Sequence, residues 1–267
     1  VPRDLPAIGI VGTRQPTLEA LDLTRSIASD LGRSGVLIIS GGAYGIDAAA
    51  HQAALDVGGV TVAVLATPLG RPYPPDHGPL FDHIAERGGL LSETPEGAWV
   101  GKASFLGRNR LIAAMADVVL VVQAPFKSGA LSTAAHAVAL KRPLYTCPWS
   151  PFEEAAQGNL DLLVDGRARL ARHAKDLAVA LGVTLRAPEM PEQPSPEQLA
   201  LSLPPTPSTE PILAALTRDP QHPDALAQAL DLPMSALQPA LLELVLSGQA
   251  EQVGSGYRRR ARKRGPA

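Results

Sequence analysis

Ala7-Ile8-Gly9-Ile10-Val11-Gly12-Thr13-Arg14 is an unbroken apolar run that ends on a glycine and a cation. It is too short for a helix and lacks polar alternation, so it predicts a strand buried on both faces. Leu18, Leu21, Ile27, Ala28 and Leu31 follow at helical spacing, and Gly32 and Gly35 close that segment. Val36–Ile39 predicts the second strand and Asp47–Val57 the next helix. Val60–Leu65, Gly89–Leu91, Val118–Val122 and Leu144–Cys147 predict further strands, with helices near 107–115 and 129–140 between the later ones. Continuous apolar strands separated by amphipathic helices make a parallel sheet covered on both faces. Right-handed crossovers then give a doubly wound α/β fold, whose ligands belong at the carboxyl ends of the strands.

The composition can supply such a core. The chain has 267 residues, 45% apolar and 19% charged, which excludes global disorder. A single cysteine, Cys147, excludes a disulfide scaffold and a cysteine-built zinc site. No apolar run approaches the ~20 residues of a membrane helix. No signal peptide is recognisable and the first residue is Val1, not Met. A soluble, cytoplasmic protein is expected, with no membrane partner.

Eight prolines fall between Pro188 and Pro211. Proline fixes φ and removes a backbone donor, so this stretch predicts a semi-rigid linker. The expected division is a first domain at 1–184, a Pro-rich linker at 185–208, a small domain at 209–257 and a basic tail at 258–267. That tail holds six of the 24 basic residues and no acid, so residues 1–257 carry a net charge of −8. Bulk charge therefore does not announce a nucleic-acid binder, and any such site must be a local patch or the tail. A terminal charge run reads either as a solvated end or as a binding element.

Three predicted strand–turn–helix junctions carry glycines. They are Gly12-Thr13-Arg14, then Ser40-Gly41-Gly42-Ala43-Tyr44-Gly45-Ile46-Asp47, then Lys127-Ser128-Gly129. Glycine permits close backbone approach, and the N–H groups of a helix start favour an anion. The three together read as a phosphate-binding rim, or else as tight turns. No G-x-x-x-x-G-K-[ST] is present and no G-x-G-x-x-G follows the first strand, so neither common nucleotide motif is supported.

Trp99 to Arg110 sets Lys102, Arg108 and Arg110 beside two aromatics, Trp99 and Phe105. Cations for phosphates interleaved with flat rings for bases suit a single-stranded nucleic acid. A core phenylalanine with solvated arginines would read the same way. Asp47 and His51, at i and i+4, form either a general-base pair or a pair that orients a loop. Ser128 and Ser132 have no adjacent activating histidine, although His136 lies one turn beyond Ser132, which leaves a hydrolase triad open. Six scattered histidines without H-E-x-x-H predict no metal.

In unbroken order the chain carries Ile10-Val11-Gly12-Thr13-Arg14, Ser40-Gly41-Gly42-Ala43-Tyr44-Gly45-Ile46-Asp47, Tyr73-Pro74 and Leu91-Ser92-Glu93. Phe105-Leu106-Gly107-Arg108-Asn109-Arg110 and Ser128-Gly129-Ala130-Leu131 follow. From about residue 7 to 165 this resembles the DprA family of DNA-processing proteins. The resemblance implies an extended Rossmann-like domain with a mostly parallel sheet. It also implies binding and protection of single-stranded DNA, a homodimer, and loading of RecA in natural transformation and recombination. It implies no cofactor and no catalysis. The family's pocket residues fall on Arg14, Lys102 and Phe105. With the loop residues, the candidate DNA-binding set is Gly12, Thr13, Arg14, Gly41, Gly45, Lys102, Phe105, Arg108, Asn109, Arg110, Lys127, Ser128 and Gly129. Where the family often has a basic residue after Tyr-Pro, this chain has Pro75-Asp76, so one phosphate contact is expected to be missing or relocated to Arg71. The competing class is a phosphoribohydrolase of the lysine-decarboxylase-like type. Its P-G-G-x-G-T motif and catalytic glutamate have no counterpart at Lys127–Thr133, where no acid stands.

Pro211–Leu216, Asp224–Leu230 and Ser235–Leu246 predict three helices, and Gln249–Arg259 a hairpin, which together make a small winged-helix domain. This too resembles the C-terminal domain of many DprA proteins. A winged helix suggests duplex DNA, but Asp219–Tyr257 contains no Lys or Arg. Duplex binding draws most of its affinity from phosphate neutralisation, so a protein contact is expected instead. Leu160, Leu162, Leu163 and Val164 are candidates for the dimer surface or for core.

Overall fold

The computed structural model describes residues 4–187 and 209–260. It divides into two compact units, Val1–Glu189 and Met190–Ala267. Of the linker predicted at 185–208, residues 188–208 lie outside the described residues, as does the predicted tail beyond Arg260.

The first unit contains seven strands: β1 (Ala7–Val11), β2 (Leu37–Ser40), β3 (Thr61–Leu65), β4 (Gly89–Ser92), β5 (Val118–Val121), β6 (Leu144–Thr146) and β7 (Arg169–Leu170). They pair in the order β4-β3-β2-β1-β5-β6-β7, and every pairing is parallel. The order reverses direction at β1, with β2 on one side and β5 on the other. This is the switch point of a doubly wound, Rossmann-like sheet, where the loops after neighbouring strands part to leave a crevice.

Seven helices cover the sheet: α1 (Leu18–Arg33), α2 (Ile46–Asp56), α3 (Gly78–Arg87), α4 (Lys102–Met115), α5 (Gly129–Ala139), α6 (Gln157–Val164) and α7 (Ala174–Leu181). Strand side chains alternate between faces. Ile8, Ile10, Ile38 and Leu120 pack with Ile27 and Leu31 of α1, Ala50 of α2 and Leu177 of α7. Val11, Ile39, Val62 and Val121 pack on the other face with Ile112 of α4, Ala134 of α5 and Leu162 of α6. Both faces are covered, which is why the central strands read as continuous apolar runs.

Two features differ from the sequence expectation. Helix α4 starts at Lys102 rather than near 107, with Gly101 as its N-cap and the Ser104 hydroxyl accepting the Gly101 N–H at 3.3 Å. Lys102 and Phe105 therefore sit on its first turn. Helices α3, α6 and α7 and strand β7 were not expected; they are short, and α3 has Gly78 and Pro79 at its start.

The second unit is a winged helix. Helices α8 (Thr209–Ala215), α9 (Pro223–Leu230) and α10 (Met234–Leu246) precede an antiparallel hairpin, β8 (Ala250–Val253) and β9 (Gly256–Arg259). Ile212, Leu226, Leu237, Leu241 and Leu244 form its own core. Gln221 bridges to Tyr257, tying the turn before α9 to the wing. Gln238 and Glu243 of α10 are exposed. Among the described residues, no single helix is long and apolar enough to cross a membrane.

Candidate functional site

The loops after β1, β2, β3 and β5, with the first turns of α4 and α5, surround a cavity of about 930 Å³ at the carboxyl edge. Its wall includes Gly12, Thr13 and Arg14 from the first loop, Lys102 and Phe105 from α4, and Ser128 and Gly129 from the start of α5. Cavities of this size hold small organic groups.

Arg14 is exposed, and its guanidinium carbon lies 5.7 Å from the centroid of the Phe105 ring. Tyr73 meets the same ring edge-on at 5.8 Å. Phe105 thus has a cation and an aromatic beside it, and its ring lines the cavity. Lys102 and Arg71 also line it, so a cation does stand near Tyr73 where Pro75-Asp76 supplies none. Asp76 is engaged elsewhere, accepting the Tyr44 hydroxyl at 2.9 Å. Among the described residues, Arg14, Arg71, Lys102 and Lys127 form no ion pair, which leaves four exposed cations along this edge.

The other candidates have different surroundings. Arg108 is buried: its Nη1 donates to the Gly41 carbonyl at 2.7 Å and to the Val64 carbonyl, and its Nε donates to Asn109 Oδ1 at 3.2 Å. Asn109, also buried, donates to the Gly129 carbonyl at 3.1 Å. Arg108 ties α4 to the ends of β2 and β3, and Asn109 ties it to the start of α5; both side chains also line the cavity. Arg110 is exposed and paired with Glu93. Glycine is required at position 41 because a Cβ there would strike the Arg108 guanidinium. At Gly45, φ is +76°, and a Cβ would lie 2.5 Å from the Thr13 carbonyl.

The phosphate rim expected from free N–H groups is corrected at two of its three turns. The Thr13 N–H donates to the Gln123 carbonyl at 2.7 Å. The buried Asp47 carboxylate accepts the N–H groups of Gly41 at 3.1 Å and Ala43 at 3.4 Å. A side chain of the protein itself takes the N–H groups that an external anion was expected to meet. Burial raises the Asp47 pKa, and the nearby Arg108 charge and these N–H groups oppose that rise.

Asp47 and His51 are not hydrogen-bonded to each other: the Asp47 side chain takes the N–H groups of Gly41 and Ala43. The His51 Nδ1 lies 2.7 Å from the Thr61 hydroxyl, which itself donates to the Ile38 carbonyl at 2.9 Å. The hydroxyl proton is committed, so His51 donates to it from Nδ1. Burial, with the charges of Arg108 and His77, pushes its pKa down to about 3. Among the described residues, no cluster of three metal-ligating side chains occurs. Ser128 caps α5, accepting the Ala130 N–H at 3.3 Å.

One further clamp lies beside the cavity. Asn159 of α6 is buried. Its Oδ1 accepts the Ala124 N–H at 2.7 Å. Its Nδ2 reaches the carbonyls of Val121 at 3.1 Å and Val122 at 2.9 Å and the Thr146 hydroxyl at 2.6 Å. Asn159 was passed over because a buried amide has no local signature; Tyr73 was singled out with Pro74 as a motif but was given no place in the binding set, since its loop is too irregular to place.

An all-parallel Rossmann-like sheet with a cation- and aromatic-walled cavity at its switch point, followed by a winged helix, defines a two-domain ligand-binding protein. Residues 2–182 match the family model for DNA recombination-mediator protein A, and residues 190–256 match the DprA winged helix domain. The chain belongs to the DprA family. It is 36% identical to protein Smf of Synechocystis over 96% of this chain and 71% of that one. It is 37% identical to DNA processing protein DprA of Bacillus subtilis over 64% of this chain and 57% of that one. The solved structure of DNA processing protein A from Helicobacter pylori, described by its single-stranded DNA binding mode, superposes with a TM-score of 0.62 at 34% identity. That match covers 67% of this chain and 81% of that one. DprA from Streptococcus pneumoniae gives the same TM-score at 32% identity, over 66% of this chain and 62% of that one.

Proposed function

We propose that this chain binds single-stranded DNA in the carboxyl-edge cavity, without catalysis. Arg14 and Lys102 hold phosphates, and Phe105 stacks on a base. The observation that carries this reading is the Arg14 guanidinium 5.7 Å from the Phe105 ring at the wall of an open cavity. Such a pair can take a base on the ring and its phosphate on the cation. The family description as a recombination mediator and the binding mode of the Helicobacter pylori relative support it. On the same grounds we assign this chain protection of incoming DNA, loading of RecA, self-association as a homodimer and a cytoplasmic location. Val164, 86% exposed, is available to such a dimer surface; Leu162 is buried in the core.

Fluorescence anisotropy with oligo-dT tests the site. Stacking is worth about 1–3 kcal/mol per base, so Phe105→Ala is expected to weaken binding roughly 5–150-fold. Arg14→Ala is expected to weaken it and to reduce the salt slope by about 1. Unchanged affinity in both variants would remove the assignment.

The winged helix is proposed as a protein-contact module, because Asp219–Tyr257 carries no cation. Truncation after Arg260 removes Arg262, Lys263 and Arg264 and keeps strand β9 whole; truncation after Pro207 removes the module as well. Loss of DNA affinity is expected with the first cut and no further loss with the second, because each neutralised phosphate releases a counterion. A duplex-binding activity that survives the first cut and disappears with the second would overturn this.

A further inference from the structure

The turn from Pro125 to Ser128, between β5 and α5, is rigidly based. The Ser128 N–H closes it onto the Pro125 carbonyl at 3.1 Å. Just before it, the Gln123 carbonyl accepts from the first loop, and Ala124 is held by Asn159 through its N–H and by the Gly158 N–H through its carbonyl. At its tip Phe126 is 65% exposed, with the Lys127 ammonium 5.4 Å from the ring centroid. The next residues, Ser128 to Ala130, already line the cavity. An exposed ring on a fixed base needs little further ordering to receive a flat partner.

Charge sets the limits of the surface. Lys127 is exposed next to Ser128, a residue of the cavity wall that Arg14, Arg71 and Lys102 also line. One strand further along the sheet, after β6, Phe152 is 94% exposed but is followed by Glu153 and Glu154. Two carboxylates there repel a phosphate backbone.

We infer that Phe126 and Lys127 form a second stacking station for the same DNA strand. The nucleotide adjoining the one at Phe105 lays its base on the Phe126 ring, and its phosphate meets Lys127. The track ends there, short of Phe152. This rests on the proposed single-stranded DNA site, and the test separates the two.

Affinity is measured for oligo-dT of increasing length with the full chain and with Phe126→Ala, Phe126→Trp, Phe152→Ala and Phe105→Ala. Phe126→Ala is expected to leave the shortest binding length unaffected and to weaken longer oligomers about 5-fold or more. Phe126→Trp is expected to keep the affinity and to show additional fluorescence quenching on binding. Phe152→Ala is expected to change nothing, and a loss there would overturn the stated end of the track. If Phe105→Ala weakens every length while Phe126→Ala weakens none, the second station is overturned and the primary site stands. A loss with Phe126→Ala already at the shortest length would place Phe126 inside the first site and overturn the assignment. If neither variant alters binding, both readings fall.

Discussion

Arg108→Met is expected to destabilise the first unit by about 3–5 kcal/mol, the cost of removing one member of a buried charged network. The guanidinium donates to the carbonyls of Gly41 and Val64, on two different strand ends. Methionine fills similar volume but leaves both carbonyls without that donor, at about 1–3 kcal/mol each. It also removes the charge that offsets the buried Asp47 carboxylate. At roughly 2–4 °C per kcal/mol for a unit of this size, thermal denaturation should shift down by roughly 6–20 °C. The same experiment decides between two roles. A variant with unchanged melting temperature and weakened DNA binding would make Arg108 a DNA contact and refute its internal role.

The second large effect is acid sensitivity. His51 is buried and neutral, with a pKa of about 3 against 6.5 in the unfolded chain. The unfolded state therefore takes up the proton first. The stability associated with the neutral imidazole is complete above pH 6.5 and is lost as pH falls from there toward 3. By pH 5 the loss from this group is about 2 kcal/mol. Asp47 acts in the opposite sense: its raised pKa means that protonation relieves a buried charge, so its contribution improves as pH falls through the folded value. Comparison with His51→Gln isolates the histidine, since glutamine retains an N–H donor for Thr61 and does not titrate. Chemical denaturation from pH 8 to 5 should show a steeper fall for the parent protein. Parallel profiles would refute the assignment.

The strands were legible because buried parallel strands leave uninterrupted apolar runs, as in Val118–Val121. The junction loops were legible because glycines stand where loops approach one another, as Gly45 does against the Thr13 carbonyl. The start of α4 was not, because Gly101 and Gly107 interrupt the helical pattern, although only Gly101 is a boundary. The roles of Arg108 and Arg110 could not be separated by type. One turns into the protein and the other pairs with Glu93 on the surface, a difference made by contacts that are distant in the chain. Asp47 was legible as a loop-orienting or catalytic acid; the choice needed Gly41 and Ala43 in place. Phe126 was hidden for the opposite reason, since an isolated aromatic between Pro125 and Lys127 reads as ordinary turn filling until its exposure is seen.

The amide of Asn159 touches the ends of two strands and the approach to the Phe126 turn through a single planar group. One end must accept a proton while the other donates, so neither a carboxylate nor a hydrocarbon of that size can replace it. The turn and the opening of α6 are thereby geared together. A ligand that displaces the turn must carry α6 with it or break the Asn159 contacts. The last residue of that helix, Val164, lies bare to solvent, so one buried amide joins the cavity-side turn to a helix that ends on an exposed apolar side chain.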